Sequence, residues 1–164
     1  MKFNTSRTDR WETDARRCHV DWVILDSDWE AEFCRVAESH PKVKSYVKNH
    51  GLYFEVPYNC GSESRQYRPD FIVVIEDGQN KDPIHLVIEV KGYRRQDADD
   101  KKRTMETFWV PGVNNDGRYG RWAFAEFTDV FQMESDFASK VEEEFNKIVT
   151  EAIRQSPQGQ TADV

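Results

Sequence analysis

Three chargeable residues sit inside or against two of the most apolar runs of the chain. Pro69-Asp70 opens the run Phe71-Ile72-Val73-Val74-Ile75, and Leu86-Val87-Ile88 leads into Glu89-Val90-Lys91. Charges rarely enter apolar segments unless they are paired or hold a metal. Two carboxylates and one ammonium on neighbouring strands are suited to holding Mg²⁺, with Mn²⁺ as a substitute, and to cleaving a phosphodiester. Asp70 and Glu89 would supply carboxylate oxygens and Val90 its carbonyl, which suits a hard cation that keeps several waters. The cation would acidify a bound water and offset charge on the phosphate. Lys91 would orient that water or act as a point charge on the transition state. The plainer alternative is that Asp70 caps a strand and Glu89 and Lys91 form an ion pair.

The spacing requires particular elements. Strand residues two apart face the same way, about 6 to 7 Å from each other. Glu89 and Lys91 then share a face with Val87 and His85, while Leu86, Ile88 and Val90 face the other way. The intervening Glu-Asp-Gly-Gln-Asn-Lys-Asp-Pro segment is rich in turn formers. It predicts a hairpin that brings Asp70, at the start of one strand, beside Glu89 and Lys91, at the end of the next.

These residues match the PD-(D/E)XK nuclease motif. The wider text, Tyr67-Arg68-Pro69-Asp70-Phe71, Ile88-Glu89-Val90-Lys91-Gly92-Tyr93-Arg94, Lys101-Lys102, Met105-Glu106-Thr107, Trp109-Val110-Pro111-Gly112-Val113-Asn114 and Trp122-Ala123-Phe124-Ala125-Glu126-Phe127, resembles the C-terminal endonuclease domain of type III restriction enzyme Res subunits. The likeness runs from about Thr8 to Phe137. It implies an α/β fold with a restriction-endonuclease-like core, a mixed central sheet with an antiparallel meander flanked by helices. It also implies a Mg²⁺-dependent DNA endonuclease, the cutting module of a restriction or anti-phage system. Full Res subunits carry a DNA-translocating ATPase, but no G-x-x-x-x-G-K-[ST] segment occurs here. Either this is an excised domain or the nuclease is encoded separately, and the expected partners are DNA, a helicase or translocase ATPase, and a modification methyltransferase. Two other readings stay open: a docking or DNA-binding module of a helicase–nuclease complex, and a repair or junction-resolving nuclease of the same superfamily.

The superfamily often aims a carboxylate from the first helix at the metal, and Glu32, which flanks that helix's apolar stripe, is preferred here over Glu30 and Glu38. Arg65 and Arg68 precede Asp70, Arg94 and Arg95 follow Lys91, and Lys101 and Lys102 lie ten and eleven residues beyond Lys91. These six are candidate phosphate contacts, with ordinary surface charge as the alternative. His19, His40 and His50 form no metal-binding cluster, and His85, on the Glu89 face but farther along the strand, reads as structural. Tyr67 and Tyr93 bracket the site and read as packing residues.

The chain has 164 residues and a net charge of −7. Its size fits one domain, expected over residues 1–155, with 156–164 as a disordered tail. The charge argues against a general DNA binder, but residues 121–164 hold nine acids and four bases, so most of the excess lies outside the motif region. Charged residues make up 32% and mean hydropathy is −0.82. With no apolar run near 18 residues and no hydrophobic signal region, the expectation is a soluble cytoplasmic protein. Cys18, Cys34 and Cys60 are dispersed, which disfavours zinc and Fe–S centres.

The remaining elements read as follows. Residues 1–15 are loose, Cys18 to Leu25 is a strand, and Ser27 with Glu30 forms a capping box for a helix ending at His40-Pro41. Val43 to Asn49 is a further helical turn, Leu52 to Val56 a strand, and Asn59 to Gln66 a loop. A helix over Asp97 to Trp109 is broken by Pro111-Gly112, and Asn114 to Gly117 is a loop. Arg121 to Phe127 is a strand, and Ser135 to Arg154 an amphipathic helix.

Overall fold

The computed structural model describes residues 9–78, 82–91 and 97–155. Strands β1 (Arg10–Glu12) and β2 (Trp22–Ile24) form an antiparallel ribbon. Helix α1 spans Asp28–Ser39. Strands β3 (Val43–Lys48), β6 (Phe71–Ile75), β7 (Ile84–Val90) and β8 (Arg121–Phe127) make the central sheet, in the order β3-β6-β7-β8. Its first three strands run antiparallel, whereas β8 lies parallel to β7. Strands β4 (Val56–Cys60) and β5 (Glu63–Tyr67) form a separate hairpin between β3 and β6. The β7-to-β8 crossover is a long helical segment, α2 (Ala98–Arg103), a π-helical stretch (Thr104–Trp109) and α3 (Val110–Asp116). Helix α4 covers Met133–Gln155. This is the expected mixed α/β architecture.

Alternation along β7 divides the interior in two. Ile84, Leu86 and Ile88 face one core with Phe71, α1 and α4. At its centre Phe33 is fully buried, with ring centroids 4.7 Å from Phe71 and 5.9 Å from Phe137. Val87 faces a second core with Val56, Tyr58, Tyr67 and Met105. The crossover helices and the β4–β5 hairpin therefore cover the face that Glu89 and Lys91 share.

Helix α1 starts as its sequence suggests. Ser27 is the N-cap, its Oγ accepting from Glu30 N–H at 3.3 Å. The Glu30 carboxylate reaches back to Asp26 N–H at 2.7 Å, one residue before the cap. Pro41 follows the C-cap His40, as expected.

Several expectations need correction. Arg10–Glu12 is a strand rather than loose chain, and only Trp22–Ile24 of the expected first strand is extended. Val43–Lys48 is a strand. A bulge between Val43 and Ser45 puts Val43, Tyr46 and Lys48 all inward, and the three-residue step imitates a helical stripe. The expected strand at Leu52 begins only at Val56 and runs through Pro57. Proline is tolerated there because the hairpin is a two-stranded ribbon with free edges. The expected loop to Gln66 contains β5, whose first four residues are exposed and so carry no apolar pattern; Gly61, at φ 61°, makes the turn. The helix after Asp97 is not broken at Pro111-Gly112 but runs to Asp116, where Gly117 closes it at φ 73°. The π-helical stretch just ahead, with Val110 N–H bonded to Met105 O, widens the turn where Pro111 has no N–H to give.

The Trp109-to-Asn114 string has a structural role. Asn114 Nδ2 donates to Trp122 O at 2.9 Å, and Asn114 Oδ1 accepts from Trp122 N–H at 2.8 Å. The Trp109 and Trp122 rings meet edge to face at 5.3 Å, and His85 stacks on Trp122 at 4.8 Å. The crossover is thereby pinned to β8, and His85 is a packing residue. Among the described residues, no helix is long and apolar enough to cross a membrane.

Candidate active site

Antiparallel pairing of Phe71 with Ile88 sets Asp70 beside Glu89. Asp70 N–H donates to Ile88 O at 3.1 Å, and Val90 N–H donates to Asp70 Oδ2 at 2.7 Å. Asp70 thus does cap a strand end, as the plainer reading held, and the same bond fixes its carboxylate at the end of β7. Glu89 is 8% exposed. Tyr67 Oη donates to Glu89 Oε2 at 2.5 Å, and Lys91 Nζ lies 3.7 Å from Glu89 Oε1. Lys91 is held more closely by Glu126 on β8, at 2.8 Å.

A cavity of about 1250 Å³ opens here, lined by Asp70, Glu89, Val90, Lys91, Tyr67, Arg68 and Lys101, and by Asp26, Trp29 and Glu30 at the start of α1. With Asp9, Asp28, Glu55 and Asp97, its lining carries eight carboxylates against the three cations Arg68, Lys91 and Lys101. Burial, reinforced by the Glu89 charge, pushes Asp70 from 3.8 up to about 8, although the Val90 N–H pulls the other way. Burial also raises Glu89, against the opposing pull of the Tyr67 hydroxyl, Lys91 and Lys101. Two buried neighbouring carboxyls cannot both ionise cheaply unless a cation joins them.

That electrostatic need is the test for a metal, and the donors fit one. Asp70, Glu89 and the main chain at Val90 offer the hard oxygen ligands that Mg²⁺ or Mn²⁺ takes, with water and substrate oxygens completing the shell. Among the described residues no group of three or more His, Cys, Asp or Glu is placed to hold a metal. An ion here would therefore rest on two carboxylates and main-chain oxygen alone.

The other expected residues separate into those at the cavity and those away from it. Arg68 lines it and pairs with Glu55, Nε to Oε1 at 2.6 Å. Lys101 lines it, 3.0 Å from Asp97 Oδ2 and over the Tyr67 ring at 5.6 Å. Asp97, held by the Tyr58 hydroxyl and Lys101, is lowered to about 2. Glu32 instead lies on the outer face of α1, bound bidentately by Arg35, which also pairs with Glu134. Arg65 pairs with Glu63 on the exposed side of β5, and Lys102 is half-exposed near Glu106. None of these three lines the cavity. Arg94 and Arg95 lie outside the described residues, as do Gly92 and Tyr93.

Four residues at the site were not picked out by sequence reasoning. Glu30, the helix carboxylate that lines the cavity, is 5% exposed, and takes the place that the apolar stripe assigns to Glu32. Its partner is Lys48, 8% exposed, whose Nζ donates to Glu30 Oε2 and Asp26 Oδ2, both at 2.7 Å, and to Ile24 O at 2.8 Å. A strand reading of 43–48 would have exposed Lys48 as an inward charge next to Asp70. Tyr67 was read as packing, and Glu126 only as part of a motif string. The signal for Glu126 was a lone acid within the apolar run Trp122 to Phe127.

A family model described as an endonuclease domain matches residues 16–110, which contain Glu30, Lys48, Asp70, Glu89, Lys91 and Lys101. No curated protein and no solved structure matches the chain.

Proposed function

The chain belongs to the endonuclease-domain family, and from that premise we propose that it is a Mg²⁺-dependent DNA endonuclease, the cutting module of a type III-like restriction or anti-phage system. One observation carries this reading. Asp70 and Glu89, drawn together by the β6–β7 pairing, share a cavity with Lys91, and burial raises both carboxyls, with the Glu89 charge adding to the rise at Asp70.

Asp70, Glu89 and Val90 would hold the ion. When bound, it would acidify a coordinated water and offset charge on the pentavalent phosphorus. The Asp70 carboxylate is aimed by Val90 N–H, and Glu89 by the Tyr67 hydroxyl. Lys91 extends from the same strand end, tied back by Glu126, and places its ammonium beside Glu89 for the developing phosphorane charge. Arg68 and Lys101, at the cavity wall, supply phosphate contacts.

Eight carboxylates in the lining repel a polyanion until cations intervene, so the domain depends on another module for delivery. The resemblance to Res subunits supports a helicase or translocase ATPase in that role, in the cytoplasm, with a methyltransferase protecting the host sites. Incubating the protein with supercoiled plasmid in Mg²⁺, Mn²⁺ or EDTA tests the reading. Metal-dependent nicking or linearisation, weak and of low sequence preference, is expected. Intact plasmid in every metal, at high protein concentration, would refute it.

A further inference from the structure

Tyr53 is, among the described residues, the one non-glycine with a positive φ, at 57°. Glycine adopts that backbone freely, whereas an L-aromatic residue adopts it under strain. Burial does not offset the strain, because Tyr53 is 78% exposed. A strained, exposed aromatic is therefore unexplained by folding, and such outliers gather at functional positions.

The loop that carries Tyr53 is fastened to the catalytic strand. Asn49 Nδ2 donates to Phe54 O at 2.8 Å and to Pro69 O at 3.0 Å, and Asn49 N–H donates to Asp70 O at 2.8 Å. Asn49 thus closes the loop on Phe54 and ties it to Pro69 and Asp70. Arg68, two residues before Asp70 and part of the cavity lining, holds its guanidinium 6.0 Å from the Tyr53 ring centroid. An exposed ring is thereby set beside Arg68, a residue that lines the cavity.

We propose that Tyr53 is a base-stacking platform for DNA: its ring takes an unpaired base of the strand whose phosphate lies in the cavity, while Arg68 contacts the backbone. This rests on the nuclease reading and adds to it a residue that grips DNA beside the cut without taking part in the chemistry. Stacking on an aromatic ring tolerates any base, which suits a cutter whose site choice is made elsewhere.

The test is fluorescence anisotropy of a labelled single strand, and of a duplex with an unpaired base, in Ca²⁺ so that binding is read without cleavage. Tyr53→Gly should weaken binding roughly 5- to 150-fold, with a melting temperature equal to or above that of the unaltered protein because glycine relieves the strain. Tyr53→Trp should restore affinity. Equal binding by Tyr53→Gly and the unaltered protein overturns the platform alone. So does a lost affinity that comes with a lowered melting temperature and no rescue by Trp. No binding of either probe by an unaltered protein that still nicks plasmid in Mg²⁺ overturns the platform alone, and no binding together with no nicking overturns the nuclease reading as well.

Discussion

Replacing Asp70 by Asn should stabilise the metal-free protein while removing its activity. Burial and the Glu89 charge raise Asp70 from 3.8 to about 8. A carboxyl whose pKa is higher in the folded state than in the unfolded chain contributes its stability fully below the unfolded value, and that stability is lost as pH rises toward the folded value. Near pH 7 the ionisation penalty reaches about 4 kcal/mol as an upper bound, at about 1.4 kcal/mol per pH unit. Hydration and relaxation of the open cavity reduce it to about 1–3 kcal/mol. Asn keeps an oxygen to accept from Val90 N–H, so the capping bond survives. Urea denaturation in EDTA across a pH series reads the effect. The two proteins should be nearly equal at about pH 4, and the Asn variant should gain steadily as pH rises, levelling off above about pH 8. Added Mg²⁺ should shift the difference back toward the unaltered protein, because only the unaltered site binds it, by about 2.7 kcal/mol at a hundredfold excess over Kd. An Asn variant less stable than the parent near neutrality, or a difference independent of pH, would show that Asp70 is not a strained carboxyl waiting for a cation.

Three further outcomes follow from the same geometry. Lys48→Met leaves the Glu30 carboxylate buried without its ammonium and should cost about 3–5 kcal/mol in urea denaturation; the double variant with Glu30→Gln should regain most of that loss. Tyr67→Phe removes the hydroxyl from Glu89 Oε2 and should cost about 1 kcal/mol of stability, while slowing metal-dependent cleavage about tenfold through a misplaced carboxylate. Phe33→Ala opens a cavity where α1 meets Phe71, Phe127 and Phe137 and should destabilise by about 3–5 kcal/mol, checked by thermal melting.

The parts of the structure legible in the sequence were those whose local pattern matched their final environment. The runs around Asp70 and Glu89 are apolar because both are central strands, and the turn formers between them announce the hairpin. Ser27 and Pro41 mark α1, the apolar spacing marks α4, and Arg121 to Phe127 reads as the strand it is. Misreadings arose where local and tertiary signals conflict. The bulge in β3 turned a two-residue period into a three-residue one. Strand β5 shows water four of its five residues. The π-helical turn lets a helix pass through Pro111, a residue that elsewhere would end it. The site divides in the same way. Asp70, Glu89 and Lys91 lie on adjacent strand ends, so spacing alone could unite them. Glu30 with Lys48, and Lys91 with Glu126, meet only through pairings 18 and 35 residues apart. Glu32 and Glu30 differ by two positions on one helix, and the Lys48 ammonium is what draws Glu30 inward.

The central claim is that Asp70, Glu89 and Lys91 form one metal-dependent cleavage centre. Nicking rates on supercoiled plasmid in Mn²⁺, compared between the unaltered protein and Lys91→Ala, test it most directly. Lys91 is no metal ligand, so the variant should still bind Mn²⁺ by calorimetry while its cleavage falls by about 10²–10³-fold. Undiminished nicking by Lys91→Ala, or cleavage by the unaltered protein that persists in EDTA, would contradict the account.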